Sequence, residues 1–260
     1  MSEQQQPPVD KPDPADTVKP SKPKARSRGI YLLPNLFTSA ALFSGFFAVI
    51  AAMNGSFEKA AIAIFVAMVL DGLDGRVARM TNTQSEFGAQ YDSLADMVSF
   101  GVAPALVAFS WALHSVGKIG WFAAFIYVAG AALRLARFNT QIGSVDKRFF
   151  IGLPSPAAAA VVAGMVWVGT QFEINADSYA LVISLIVALS GILMVSNFHY
   201  HSFKEVDLKG KVPFVVLLGV VMLIAVISID PATLLWLIFV VYGCSGPVQA
   251  VLRYRKKSAR

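Results

Sequence analysis

The sequence is poor in charge and nearly empty of cysteine. Only 15% of its 260 residues are Asp, Glu, Lys or Arg, while 56% are hydrophobic and the mean hydropathy is +0.60. Soluble domains carry about a quarter charged residues, so this shortfall excludes an ordinary soluble domain. The single cysteine, Cys244, excludes an internal disulfide, and its place in a hydrophobic run reads as apolar packing rather than reactivity. Residues 1–28 have almost no large apolar side chains, and such a stretch cannot bury enough surface to fold. They also lack the short apolar core and small-residue cleavage site of a signal peptide. The reading is a disordered tail whose Lys19, Lys22, Lys24, Arg26 and Arg28 either lie against anionic headgroups or stay solvated.

What the chain has in abundance is long apolar runs. Eight of them reach or approach the roughly 20 residues that span a bilayer: 34–54, 57–79, 88–113, 119–138, 155–173, 178–198, 212–229 and 231–251. The expected fold is therefore an all-α integral membrane protein of about eight transmembrane helices. The net charge of +6 and pI near 9.5 read as anchoring charge rather than as a nucleic-acid footprint. With the N-terminus in the cytoplasm, all the Lys and Arg residues except Lys59 and Lys118 fall on the cytoplasmic side. Both basic termini then share that side, which requires an even number of spans. Asp230-Pro231 argues against merging the last two. Pro104 should kink the third span.

Between the second and third runs stand four carboxylates. Asp71 and Asp74 are three apart and Asp92 and Asp96 four apart, so each pair shares a helix face. An unpaired charge at the end of an apolar span is costly, and clustered acids repel one another unless a cation sits among them. A hard divalent metal with oxygen ligands, Mg²⁺ or Mn²⁺, answers both problems. On this topology the cluster opens to the cytoplasm, giving a polar active-site cavity facing that side. Gly75 and Ala78 lie four and seven residues after Asp71 on its helical face, and Gly88 lies four before Asp92. Small side chains there let a nucleotide approach the helices, and Arg79 offers a planar donor fork to a diphosphate.

The full spacing is D-x2-D-G-x2-A-R-x8-G-x3-D-x3-D, from Asp71 to Asp96. It resembles, position for position, the signature of the CDP-alcohol phosphotransferase family of membrane enzymes. That resemblance implies that Asp71, Asp74, Asp92 and Asp96 hold two divalent ions and that Asp96 is the general base. It also implies a transmembrane domain over residues 29–252, a basic C-terminal tail over 253–260, and a homodimer in the cell (inner) membrane. Relatives open their first span with Pro-Asn and a nearby hydroxyl. Here those are Pro34, Asn35 and Thr38, so Asn35 serves either as a nucleotide-pocket residue or as a helix cap. Ser39, Ser44 and Gly45 read as helix-packing residues.

On the acceptor side, Arg134 and Arg137 share a helix face at the end of the fourth span, just before Asn139. Anchoring charge alone would account for them. The Gly152-Leu153-Pro154-Ser155-Pro156 loop follows, entering an Ala-rich helix whose free amides suit an anion. This pair of segments, with PNLFTSAALFSGF, resembles the phosphatidylserine synthase branch over about residues 30–200. The branch implies transfer of the phosphatidyl group of CDP-diacylglycerol to L-serine. The expected acceptor-binding residues are Arg134, Arg137, Asn139, Gly152 and Ser155. Glycerol 3-phosphate, inositol phosphate or choline is the alternative acceptor. A cation transporter fits less well, because the acids gather at one membrane face and no inverted repeat is visible. His114 and the His199-Tyr200-His201 stretch read as interfacial features rather than metal ligands.

Overall fold

The computed structural model describes residues 32–81, 83, 85–140, 149–201 and 214–258. The expected basic tail of residues 1–28, and Lys204, Lys209 and Lys211, lie outside them. Helices form at all eight apolar runs: α1 (Leu32–Met53), α2 (Phe57–Thr81), α3 and α4 in one run (Glu86–Asp96 and Ala103–Trp111), α5 (Lys118–Thr140), α6 (Ser155–Gln171), α7 (Ala180–Val195), α8 (Phe214–Ile229) and α9 (Pro231–Ser258). The only sheet among the described residues pairs β1 (Phe149–Ile151) with β2 (His199–His201), antiparallel, with Phe150 opposite Tyr200.

Five segments are long and apolar enough to cross a membrane: Leu33–Met53, Glu86–Trp111, Lys118–Thr140, Ala176–Val195 and Pro231–Leu252. The other three fall short for separable reasons. The helices α6 and α8 have 17 and 16 residues, and α2 carries Asp71, Asp74, Arg76 and Arg79 in its second half. Large apolar side chains such as Phe43, Trp121, Leu185 and Val241 are exposed around the outside. Exposure on that scale marks a surface met by lipid rather than water, and the chain is a multi-pass membrane protein. Cys244 also lies exposed on α9, so it is not the packed residue its surroundings suggested.

Close helix approach is made by small residues, as packing within lipid demands. Gly45 of α1 meets Ser99, whose Cα lies 2.7 Å from where a Cβ on Gly45 would stand. Ser99 Oγ donates to the Ala41 carbonyl at 3.1 Å, and Ser44 Oγ donates to the Ala63 carbonyl at 2.7 Å. The helix α6 is the central one: its Ala157, Ala158, Ala159 and Ala160 are all buried, and it packs on α2, α4, α7 and α9.

Pro104 acts differently from the expected kink alone. A π-helical turn, Met97–Val102, joins α3 to α4 ahead of it, with the Ala103 amide donating to the Val98 carbonyl. Proline has no N–H to offer the carbonyl four residues back, which here is Phe100. The buried Tyr127 hydroxyl donates to that carbonyl at 3.0 Å, replacing the missing bond from α5. A π turn rotates the residues that follow it relative to an unbroken helix. Here it sits immediately after Asp96.

Candidate active site

Ser85 caps α3, accepting from the Gly88 amide at 3.0 Å, and so fixes where the helix carrying Asp92 and Asp96 begins. Across the short connection, α2 delivers Asp71 and Asp74. One carboxylate oxygen from each of Asp71, Asp74 and Asp92 lies within 4.8 Å of the other two. Asp74 is buried and accepts from Thr38 Oγ1 of α1 at 2.7 Å, and the Pro34 carbonyl, 3.2 Å from the same hydroxyl, shares its one proton more weakly. Asp92 Oδ1 is buried and meets no hydrogen-bond donor.

A buried carboxylate oxygen left unmatched is costly, and three acids this close repel one another. An oxygen-only donor set with an unmatched buried oxygen fits a hard divalent cation. The residues present therefore suit the metal. Asp96, expected as a fourth ligand, stands outside this mutual group; it lies close to Asp71 and Asp92 and within electrostatic reach of Arg134.

A cavity of about 230 Å³ adjoins the acids, with Asp74 and Asp92 in its wall. All six residues expected to meet a nucleotide line it: Asn35, Thr38, Gly75, Ala78, Arg79 and Gly88. A Cβ on Gly75 would project into open space, its nearest neighbour being Arg79 Nη1 at 3.6 Å, so any larger residue there takes volume from the cavity. Thr83, Ser85 and Ala89 also line it and had not been singled out. Their signal was weak, because Thr83 and Ser85 between two helices ordinarily read as linker and cap, and Ala89 as an ordinary helix residue.

The five expected acceptor residues do not converge in the same way. Arg134 Nη1 donates to Ser155 Oγ at 2.8 Å, tying the end of α5 to the start of α6. Its Nε is buried and donates to no protein group. Arg137 is turned elsewhere, its Nη1 reaching Asn197 Oδ1 at 3.4 Å. Asn139 Nδ2 donates to Ser93 Oγ at 3.1 Å, beside Asp92 in sequence but on a different contact from Arg134.

Gly152 has φ +81, its amide donates to the Phe198 carbonyl at 2.8 Å, and a Cβ there would collide with the Met194 carbonyl. The Leu153 amide donates to the Leu193 carbonyl at 3.0 Å. Those two loop amides are spent on carbonyls at and just beyond the end of α7, whereas the expectation of an anion concerned the amides of the α6 start that follows. Glycine is needed at 152 for conformation and close approach. Tyr91, which shares a 2.8 Å hydrogen bond with Ser39, was also missed.

A metal-capable acid cluster beside a small-residue cavity, at one end of a helical membrane bundle, defines a membrane enzyme of phosphate chemistry. The model of the CDP-alcohol phosphatidyltransferase family matches residues 31–196, and the chain belongs to that family. It is 39% identical over 215 residues to the CDP-diacylglycerol–serine O-phosphatidyltransferase of Helicobacter pylori, covering 82% of this chain and 90% of that one. It is 35% identical over 234 residues to the protein of the same name from Mycobacterium bovis (87% and 81%), and 34% identical over 175 residues to that of Bacillus subtilis (66% and 92%). Among solved structures, Mycobacterium tuberculosis phosphatidylinositol phosphate synthase with CDP-DAG bound aligns with a TM-score of 0.48 at 20% identity. That alignment covers 64% of this chain and 80% of the other.

Proposed function

We infer that this chain transfers the phosphatidyl group of CDP-diacylglycerol to the hydroxyl of L-serine, releasing CMP. The observation that carries the reading is the unmatched, buried Asp92 Oδ1 within the Asp71–Asp74–Asp92 cluster, at the wall of the cavity that the motif residues line. The names of the relatives from three genera supply the acceptor.

In this reading Asn35, Thr38, Gly75, Ala78, Arg79 and Gly88 seat the nucleotide and its diphosphate, the glycines leaving room and Arg79 giving a planar donor pair. Asp71, Asp74 and Asp92 hold the divalent ion, Mg²⁺ or Mn²⁺, with Thr38 fixing the Asp74 carboxylate. When bound, the ion supplies charge neutralisation to the phosphoryl oxygens. Asp96 lies outside the mutual group of three but close to Asp71 and Asp92 and within electrostatic reach of Arg134, a place suited to taking the proton of the serine hydroxyl. The new bond joins the serine oxygen to the lipid-side phosphorus, and the bond from that phosphorus to the CMP oxygen breaks. Arg134, fixed by Ser155 and with its Nε unspent, receives the serine carboxylate.

The basic residues set the orientation. With Arg76, Arg79, Arg134, Arg137 and both chain ends on the cytoplasmic side, the number of spans is even and the cavity faces the cytoplasm. The eight apolar runs supply that number, the three shorter or more polar ones crossing alongside the five. Serine and CMP then exchange with the cytosol while the lipid moves in from the bilayer.

The test is CMP release by the purified full chain in detergent with CDP-diacylglycerol and Mn²⁺ or Mg²⁺, offering serine, glycerol 3-phosphate, inositol phosphate and choline one at a time. Release that needs both serine and the metal is the expected result. Release with another acceptor alone overturns the acceptor assignment, and release without any divalent ion overturns the role of the aspartates.

A further inference from the structure

Asp92 stands between two residues of α3 that are tied to different helices. On one flank Tyr91 shares a 2.8 Å hydrogen bond with Ser39 of α1, and on the other Asn139 of α5 donates to Ser93 Oγ at 3.1 Å. Ser39 Oγ spends its single proton on the Asn35 carbonyl at 2.8 Å, so the Tyr91 hydroxyl is the donor to it. The ring of Tyr91 stacks on Phe87 one turn earlier, with centroids 6.1 Å apart and planes inclined by 15°. Ring contact is thus supplied by Phe87, and the hydroxyl is engaged with Ser39.

Ser39 follows Thr38, whose hydroxyl donates to Asp74. Two adjacent residues of α1 therefore hold the two helices that supply the acid cluster. Thr38 holds α2 at an acid of the cluster, and Ser39 holds α3 at the residue before one. Successive helical residues point about 100° apart, so Tyr91 and Ser93 leave α3 on either side of Asp92 and their bonds fix its rotation. No donor fixes the buried Asp92 Oδ1, so its aim follows the helix beneath it. A side-chain tip lies about 5 Å from the helix axis, and a turn of about 10° moves it by about 1 Å. Metal–ligand distances hold to about 0.2 Å. A small rotation of α3 therefore costs the cluster far more than it costs the packing.

We propose that Tyr91 is a positioning residue for the metal cluster: through Ser39 it sets the rotation of α3, and with it the aim of the Asp92 carboxylate. This rests on the reading of Asp71, Asp74 and Asp92 as the holders of a divalent ion, and the experiment separates the two.

Mn²⁺ binding to the full chain in detergent is followed by electron paramagnetic resonance for wild type, Tyr91→Phe, Ser39→Ala and the double variant, with Tm recorded before metal is added. Phenylalanine keeps the ring on Phe87, so the fold is preserved. The expected result is a Kd for Mn²⁺ raised about fivefold in each single variant, the scale of one hydrogen bond. The metal-free Tm should fall by no more than about 4 °C, the value of one such bond in a chain of this size. The double variant should bind no more weakly than either single one, because both remove the same bond. CMP release should need about fivefold more Mn²⁺ to reach half its maximum rate, with that maximum kept once Mn²⁺ saturates. If wild type binds Mn²⁺ and Tyr91→Phe binds it equally well, the proposal is overturned and the metal reading stands. If the metal-free Tm of Tyr91→Phe falls by more than about 10 °C, the residue is structural and the proposal fails. Additive losses in the double variant overturn it as well, since the two side chains would then act separately. If wild type binds no Mn²⁺, the metal reading fails and carries the proposal with it.

Discussion

On the side of α1, α2 and α3, nine residues spread over 58 positions meet at one cavity and one acid cluster; on the side of α5 and α6, five expected residues part into separate contacts. The difference comes from how each side is held. The first is two helix faces joined by a short, capped connection, so residue spacing translates into geometry almost directly. The second is assembled from a helix end, a loop and a strand pair. There each side chain answers to whichever neighbour the loop brings, and Arg134 finds Ser155 while Arg137 finds Asn197.

The largest effect expected from breaking the first side is in Asp92→Asn. It keeps the shape and removes a charge, and CMP release should fall by about 10³-fold, comparable to losing a principal electrostatic stabiliser. Retained release in folded protein would remove Asp92 from the ligand set.

The two arginines sharpen the second side. Arg134→Ala should raise the KM for serine by about 10- to 100-fold, the value of a hydrogen bond to a charged group. Arg137→Ala, whose partner contact is exposed and long, should change it less than about threefold. Equal effects would mean that the scattered contacts do not report on function.

Thr38 and the glycines come next. Thr38→Val removes the 2.7 Å donor to Asp74 and should cost kcat about tenfold. Gly75→Val should raise the KM for CDP-diacylglycerol, since it fills the cavity. Gly152→Ala should lower Tm without moving either KM, because φ +81 and the Met194 carbonyl make its cost conformational, on the order of 1–3 kcal/mol. A Gly152→Ala protein of normal Tm and impaired serine binding would return Gly152 to the acceptor pocket.

The smallest effect lies far from both sides, at the α8–α9 junction. There Asp230 accepts from the Thr233 amide and from Gln171, and these bonds, Thr233 foremost, hold its carboxyl below the ordinary 3.8. A group lowered on folding stabilises above its unfolded value, and that contribution is lost as pH falls through the folded one. Asp230→Ala should therefore reduce Tm slightly at neutral pH and flatten its fall in acid, as a Tm series against pH would record.

The helices at the eight apolar runs, the break at Pro231 and the acid pairs were legible because each follows from chain period or a local breaker. The Thr38–Asp74 bond was not, since it joins residues 36 apart through a crossing of α1 and α2 that no spacing encodes. The π turn before Pro104 was equally hidden, because it depends on Tyr127 of α5 satisfying Phe100. Gly152 looked like an acceptor-site glycine in sequence; only its φ and the nearby Met194 carbonyl reveal the other reason for it.

The measurement that bears most directly on the account is Mn²⁺ binding to the full chain in detergent, followed by electron paramagnetic resonance, for wild type and Asp92→Asn. The account predicts saturable binding in the wild type and its loss in the variant at equal fold and Tm. Binding of equal strength in both would contradict it.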